Sequence, residues 1–174
     1  MRAAAHKRLA SAKADRSTFP KMSGKLAQEI VQAKPWTCRE EEAYLNVART
    51  YEHLTQGLTE FFRPYCLSIT QYNMLRILRG AGPEGLNCTE AARRMISNDP
   101  DVTRLFDRLE ARSLIERSRS TADRRVVQAA ITVAGLALLA GIDEPIRDFH
   151  VRQMSPLGPV GIEELIDVCE TLRP

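Results

Sequence analysis

The stretch that most constrains this chain runs from Asn98 to Arg112, where apolar residues recur at the spacing of a helix. Val102, Leu105, Phe106 and Leu109 stand at i, i+3, i+4 and i+7 and therefore share one buried stripe. Asp99 suits an N-cap, and Pro100 suits the first helical position, where a missing N–H is not needed. The opposite face carries Thr103, Arg104, Asp107 and Arg108. A helix that turns a hydroxyl and two guanidinium groups outward has the donors and the width to lie in a DNA major groove.

The next twenty residues narrow the choice. Residues 114–120 alternate as a strand with arginines on one side, 121–124 read as a turn, and 125–131 return as a second strand. Arg119, Arg124 and Arg125 crowd the hairpin tip. An arginine-tipped ribbon beside a groove-sized helix predicts a winged helix-turn-helix, with the tip placed to enter the adjacent minor groove. The expected fold class is mainly α, an α+β winged helix.

The hairpin also carries a motif. Asp123-x-Arg125, five residues, then Ile131-Thr132-x-x-Gly135 resembles the wing signature of the MarR family of bacterial transcriptional regulators. The resemblance reaches back through Leu114-Ile115-Glu116-Arg117 to Ser68-x-x-Gln71-Tyr72, and covers roughly Thr37 to Leu172. Ser113 departs from it, standing where the family usually has glycine. If that residue is left-handed, serine costs on the order of 1 kcal/mol.

The resemblance implies a homodimeric repressor without cofactor or catalytic activity, bound to a pseudo-palindromic operator in double-stranded DNA. Residues 37–66 and 133–174 would supply the dimerisation helices, and 67–132 the winged helix-turn-helix. Thr103, Arg104 and Arg108 are expected at base edges or nearby phosphate. Arg125 is expected nearest the minor groove, with Arg119 and Arg124 on phosphate and Asp123 holding the wing turn. Asp101 must accept from a cytosine amine or stay clear, because phosphate repels it. A small aromatic or phenolic effector between the dimer helices and the DNA-binding lobe is also implied, with Tyr44, Tyr51, His53, Tyr65 and Tyr72 as candidate linings. An aromatic on a helix seam is more often core than pocket lining.

Composition adds bounds. The 174 residues carry a net charge of only +3, but residues 1–34 hold eight Lys/Arg against two Asp/Glu, leaving the remainder slightly acidic. Residues 1–36 therefore read as a basic, partly mobile extension: a salt-sensitive arm for DNA phosphates, a solvated tail or an extra dimer-packing element. No apolar run approaches the ~18 residues a bilayer span needs, and no apolar signal segment is evident, which predicts a cytoplasmic chain with no membrane partner.

The other elements are marked by their caps. Thr37-Cys38-Arg39-Glu40 reads as a capping box opening a long helix, along which Tyr44, Val47, Tyr51, Leu54, Leu58 and Phe61 form a heptad-like seam ended by Pro64. Ser68-Ile69-Thr70-Gln71 opens a helix with Tyr72, Leu75 and Leu78 inward, and Asn87-Cys88-Thr89-Glu90 opens the next. Thr132 caps a final pair of helices, in which Gly141 and Pro145 are expected to bend or break the chain. A joint over Met154–Gly161 precedes a last helix presenting Ile162, Leu165, Ile166, Cys169 and Leu172, with Cys169 read as core.

Catalytic patterns find no support. Gly80-Ala81-Gly82-Pro83-Glu84-Gly85 matches G-x-G-x-x-G, but a helix precedes it and Glu84 would face the phosphate, so it reads as a turn. His6, His53 and His150 lack ligand spacing, and the four cysteines form no C-x-x-C pair, which leaves no metal site. Cys38 is the one redox candidate, since a helix start favours its thiolate, although three glutamates in that turn oppose it. Two alternatives thus stay open: a thiol-based peroxide sensor of the same fold, and a constitutive DNA-binding protein without effector.

Overall fold

The computed structural model describes residues 24–97, 101–119 and 125–173. The chain packs as two units, one ending at Glu52 and the other starting at His53. In the first, the short helix α1 (Lys25–Glu29) buries Leu26 and Ala27. Its Glu29 takes ion pairs from Lys25 at 3.3 Å and Arg49 at 3.5 Å.

Helix α2 (Arg39–Phe62) begins one residue later than the sequence suggests. Cys38 Sγ accepts the Glu41 N–H at 3.4 Å, while Glu41 reaches back to the N–H and hydroxyl of Thr37 at 2.7 and 2.6 Å. The box is therefore closed by Glu41, because Thr37 sits one position before the cap. Along the predicted seam Tyr44, Val47 and Tyr51 are exposed, and the one fully buried side chain of α2 is Phe62. A 3-10 turn over Arg63–Tyr65 ends this helix at Pro64, as expected.

Ser68 opens α3 (Ile69–Ala81) with both halves of a capping box, and Tyr72, Met74, Leu75 and Leu78 point inward. The glycine hexad is a turn. Gly85 has φ +67°, and a Cβ there would lie 2.2 Å from the Ala129 carbonyl oxygen, so only glycine lets the chain pass that strand. Beyond it come strand β1 (Leu86–Asn87), which sequence reasoning missed, and α4 (Cys88–Arg94), capped by Asn87. Helix α5 (Val102–Glu110) leads to β2 (Ile115–Arg119) and β3 (Val127–Ile131). The sheet is antiparallel in the order β1-β3-β2, with Leu86 opposite Ala129 and Arg117 opposite Ala129 on the other side.

Helix α6 (Val133–Met154) runs through Pro145 without the break that is one of the two outcomes expected there. Proline deprives the carbonyl four residues back of its donor and crowds it. That residue is Gly141, which adds no side chain to the crowding, while buried Leu139, Ile142 and Ile146 hold the helix in the core on either side. The joint to α7 (Gly158–Thr171) shrinks to a 3-10 turn over Ser155–Leu157. No residue of α7 is buried, so Cys169 is only half-covered rather than core. The shared core joins Phe62, Met74, Leu75, Leu78, Phe106 and Leu139, so α3 to α6 pack around one interior.

Candidate nucleic-acid interface

Helix α5 has the amphipathic form its sequence predicts. Val102, Leu105, Phe106 and Leu109 are buried, and Thr103, Arg104, Asp107 and Arg108 are exposed. The cap is different. Asp99 and Pro100 lie outside the described residues, and Asp101 is the N-cap, accepting the Arg104 N–H at 3.1 Å. Its second oxygen lies 3.0 Å from Arg104 Nε, so the carboxylate neutralised by that guanidinium also starts the helix.

Two contacts fix the far end of α5. Arg112 donates from Nη1 to the Cys66 carbonyl at 2.6 Å and from Nη2 to the Tyr65 carbonyl at 3.2 Å. Ser113 then turns the chain with φ 57°, the left-handed conformation that the family's usual glycine would adopt without strain.

The hairpin is rooted by the residues of the wing signature. Thr132 accepts the Gly135 N–H at 3.1 Å to cap α6, and its hydroxyl donates to the Ser113 carbonyl at 2.7 Å. Gly135 passes so near the hairpin root that a Cβ would stand 2.3 Å from the Leu114 carbonyl oxygen. The Ile-Thr-x-x-Gly spacing is thus the spacing of a cap followed by a close crossing. Arg119 is exposed at the end of β2 and Arg125 is exposed in the turn two residues before β3, while Asp123 and Arg124 lie outside the described residues. Arg125 shares a cleft of about 490 Å³ with Asn87, Thr89 and Glu90 at the start of α4.

Arg117 is a site residue that sequence reasoning passed over. From β2 it reaches Asp107 and Glu110 of α5, with Nε donating to Glu110 Oε2 at 2.8 Å. These two carboxylates, Glu110 first, hold the guanidinium firmly in its charged form. The signal was the strand alternation, which puts Arg117 on the side of buried Ile115 and hence toward α5.

The effector candidates separate. His53 lines a cleft of about 530 Å³ with Gln56, Gly57, Phe149 and Arg152. Tyr72 lines another of about 230 Å³ with Arg76, Asp143 and His150. There Arg79 grips Asp143 through a fork at 2.7 and 2.9 Å, holding that carboxyl below its usual range. Burial, then the Arg76 charge, lowers the His150 pKa. Tyr65 lies against Phe61 with ring centroids 5.7 Å apart, and Tyr44 and Tyr51 are 71% and 67% exposed. No cluster of His, Cys, Asp and Glu suited to a metal occurs among the described residues.

The MarR family model matches residues 67–127, from the loop before α3 to the start of β3. The chain is also 42% identical to a MarR transcription factor from Planctomyces limnophilus whose crystal structure superposes with a TM-score of 0.60, the match covering 79% of this chain and 98% of that one. This chain belongs to the MarR family. It is 25% identical to the HTH-type transcriptional regulator MhqR of Bacillus subtilis over 126 residues, 72% of this chain and 83% of that regulator. It shares the fold of CouR from Rhodococcus jostii RHA1, solved with p-coumaroyl-CoA bound, at 20% identity and a TM-score of 0.65 over 79% of this chain and 95% of CouR. As a MarR-family member the chain is a DNA-binding transcription regulator of winged-helix fold and not an enzyme. Among its described residues no helix is long and apolar enough to cross a membrane.

Proposed function

We propose that this MarR-family regulator is a homodimeric repressor that reads a pseudo-palindromic operator and leaves it when a small aromatic acid binds. One observation carries the reading: Thr103, Arg104 and Arg108 are exposed on α5 while Arg119 and Arg125 are exposed on the adjoining hairpin. A helix in the major groove and a ribbon at the next minor groove use such donors together. In a two-fold dimer the two α5 helices address half-sites about one helical turn, ~34 Å, apart.

A second copy of the chain is the natural cover for α7, whose Val160, Leu165, Ile166, Val168 and Leu172 are exposed apolar residues on a helix with no buried residue of its own. For the effector, the cleft beside His53 has the size of a small-molecule site. Phe149 offers a ring to stack on, and Arg152 a partner for a carboxylate. CouR supplies a precedent of the same fold with a bound aromatic thioester.

The test is selection of duplexes from a random-sequence pool on the full chain. A two-fold related motif, lost when a phenolic acid is added, is the expected result. Recovery of no preferred sequence overturns the reading, and a preferred sequence insensitive to a panel of aromatic acids removes the effector from it. For Cys38, whose sulfur accepts the Glu41 N–H, loss of DNA binding on peroxide treatment that Cys38→Ser abolishes would favour the redox alternative.

A further inference from the structure

Leu109 of α5 and Leu114 and Ile115 at the start of the hairpin are buried in the same apolar cluster. Apolar burial is strong but not directional, so it leaves the angle between a helix and a ribbon loosely set. Arg117 supplies direction. Its side chain is 24% exposed, less than that of Asp107 at 54% or Glu110 at 40%, so it lies beneath the two carboxylates it holds. Nε donates to Glu110 Oε2 at 2.8 Å, Nη2 stands 2.6 Å from the same oxygen, and Nη2 also donates to Asp107 Oδ1.

Asp107 and Glu110 are three residues apart, one turn along the same side of α5. A planar guanidinium meeting carboxylates from successive turns constrains rotation of the ribbon as well as its distance, which a point charge such as lysine does not. Neutralising Asp107 would require only one positive charge nearby. The two-carboxylate grip indicates geometry.

We propose that Arg117 is a positioning residue for DNA recognition, setting the angle at which the hairpin leaves α5 so that both reach their grooves together. Arg117 itself stays turned toward α5. The proposal rests on the reading that α5 enters the major groove, and its test separates the two.

The full chain is compared with Arg117→Gln, Arg117→Lys and Arg117→Gln/Asp107→Asn on the duplex selected by wild-type protein and on a scrambled duplex of equal length, at fixed salt. All three variants are expected to lower the ratio of specific to scrambled affinity at least tenfold with helical content unchanged. A ratio within twofold of wild type, or its recovery by lysine or by Asp107→Asn, overturns the proposal, because charge alone would then suffice. Hydrogen exchange gives a second readout. Amides of residues 115–119 and 127–131 are expected to exchange at least tenfold faster in Arg117→Gln, with α3 unaffected, and unchanged hairpin exchange also overturns it. If wild-type protein selects no sequence, the groove reading fails, while the exchange experiment still decides whether Arg117 holds the hairpin.

Discussion

Asp101 serves Arg104 twice, accepting its backbone N–H at 3.1 Å through one oxygen and standing 3.0 Å from its Nε through the other. The first contact belongs to the fold and the second to the site. Asp101→Ala should cost about 1 kcal/mol of stability, the usual worth of an N-cap, whereas Asp101→Asn retains a capping oxygen and should cost only a few tenths. Urea unfolding of the two variants checks this, and equal losses would count against the cap.

Arg108 is exposed on α5 one turn beyond Arg104. A fork from arginine to guanine discriminates by about 1–3 kcal/mol. Arg108→Ala should relax base preference at one position of each half-site while leaving the salt dependence nearly unchanged. Repeating the duplex selection with the variant measures this, and an identical motif would place the readout elsewhere on the helix.

Arg125 should behave in the opposite sense. Arg125→Ala is expected to weaken binding more than tenfold across sequences. Undiminished affinity at fixed salt would argue against the hairpin as a DNA contact.

Two substitutions probe the hairpin root. Ser113→Gly relieves a φ of 57° and should raise stability by about 1 kcal/mol, seen as a higher urea midpoint with unchanged slope. Gly135→Ala forces a Cβ to within 2.3 Å of the Leu114 carbonyl oxygen and should cost about 1–3 kcal/mol, as overpacking does. A neutral outcome for Gly135→Ala would mean that α6 can shift away from β2 at little cost.

His150 predicts a pH effect. Burial lowers its pKa from the ordinary 6.5, so below that value the unfolded chain takes up a proton that the folded imidazole refuses. Its contribution to stability is complete above about pH 6.5 and declines as pH falls toward the lowered folded-state pKa. Thermal melts between pH 7.5 and 5 should show a decline that His150→Gln reduces. An equal decline in the variant would assign the effect to other groups.

Much of this was legible in the residues. The i, i+3, i+4, i+7 stripe of α5 located the core face, and the outward face followed from it. Ser68 and Asn87 announced their helices because side-chain caps are local. What escaped was decided by distant partners. Strand β1 is two residues long and exists because β3 offers it a pairing edge. Pro145 stays helical because Ile142 and Ile146 are held in the core. The start of α5 moved from Asp99 to Asp101, since either carboxylate satisfies the same local rule. The role of Arg117 required knowing which side of the strand faces α5 and that both Asp107 and Glu110 lie within its reach.

Thr132 ties the hairpin root to the start of a long rod, its hydroxyl donating to the Ser113 carbonyl and accepting the Gly135 N–H while its own N–H donates to the Leu114 carbonyl at 3.1 Å. The 22 residues of α6 extend roughly 33 Å from that point at 1.5 Å per residue. Over that length a difference of about 5° in the direction of the rod displaces its distal end by roughly 3 Å, so the cap at Thr132 and the buried Leu139, Ile142 and Ile146 together decide where that end lies relative to the hairpin.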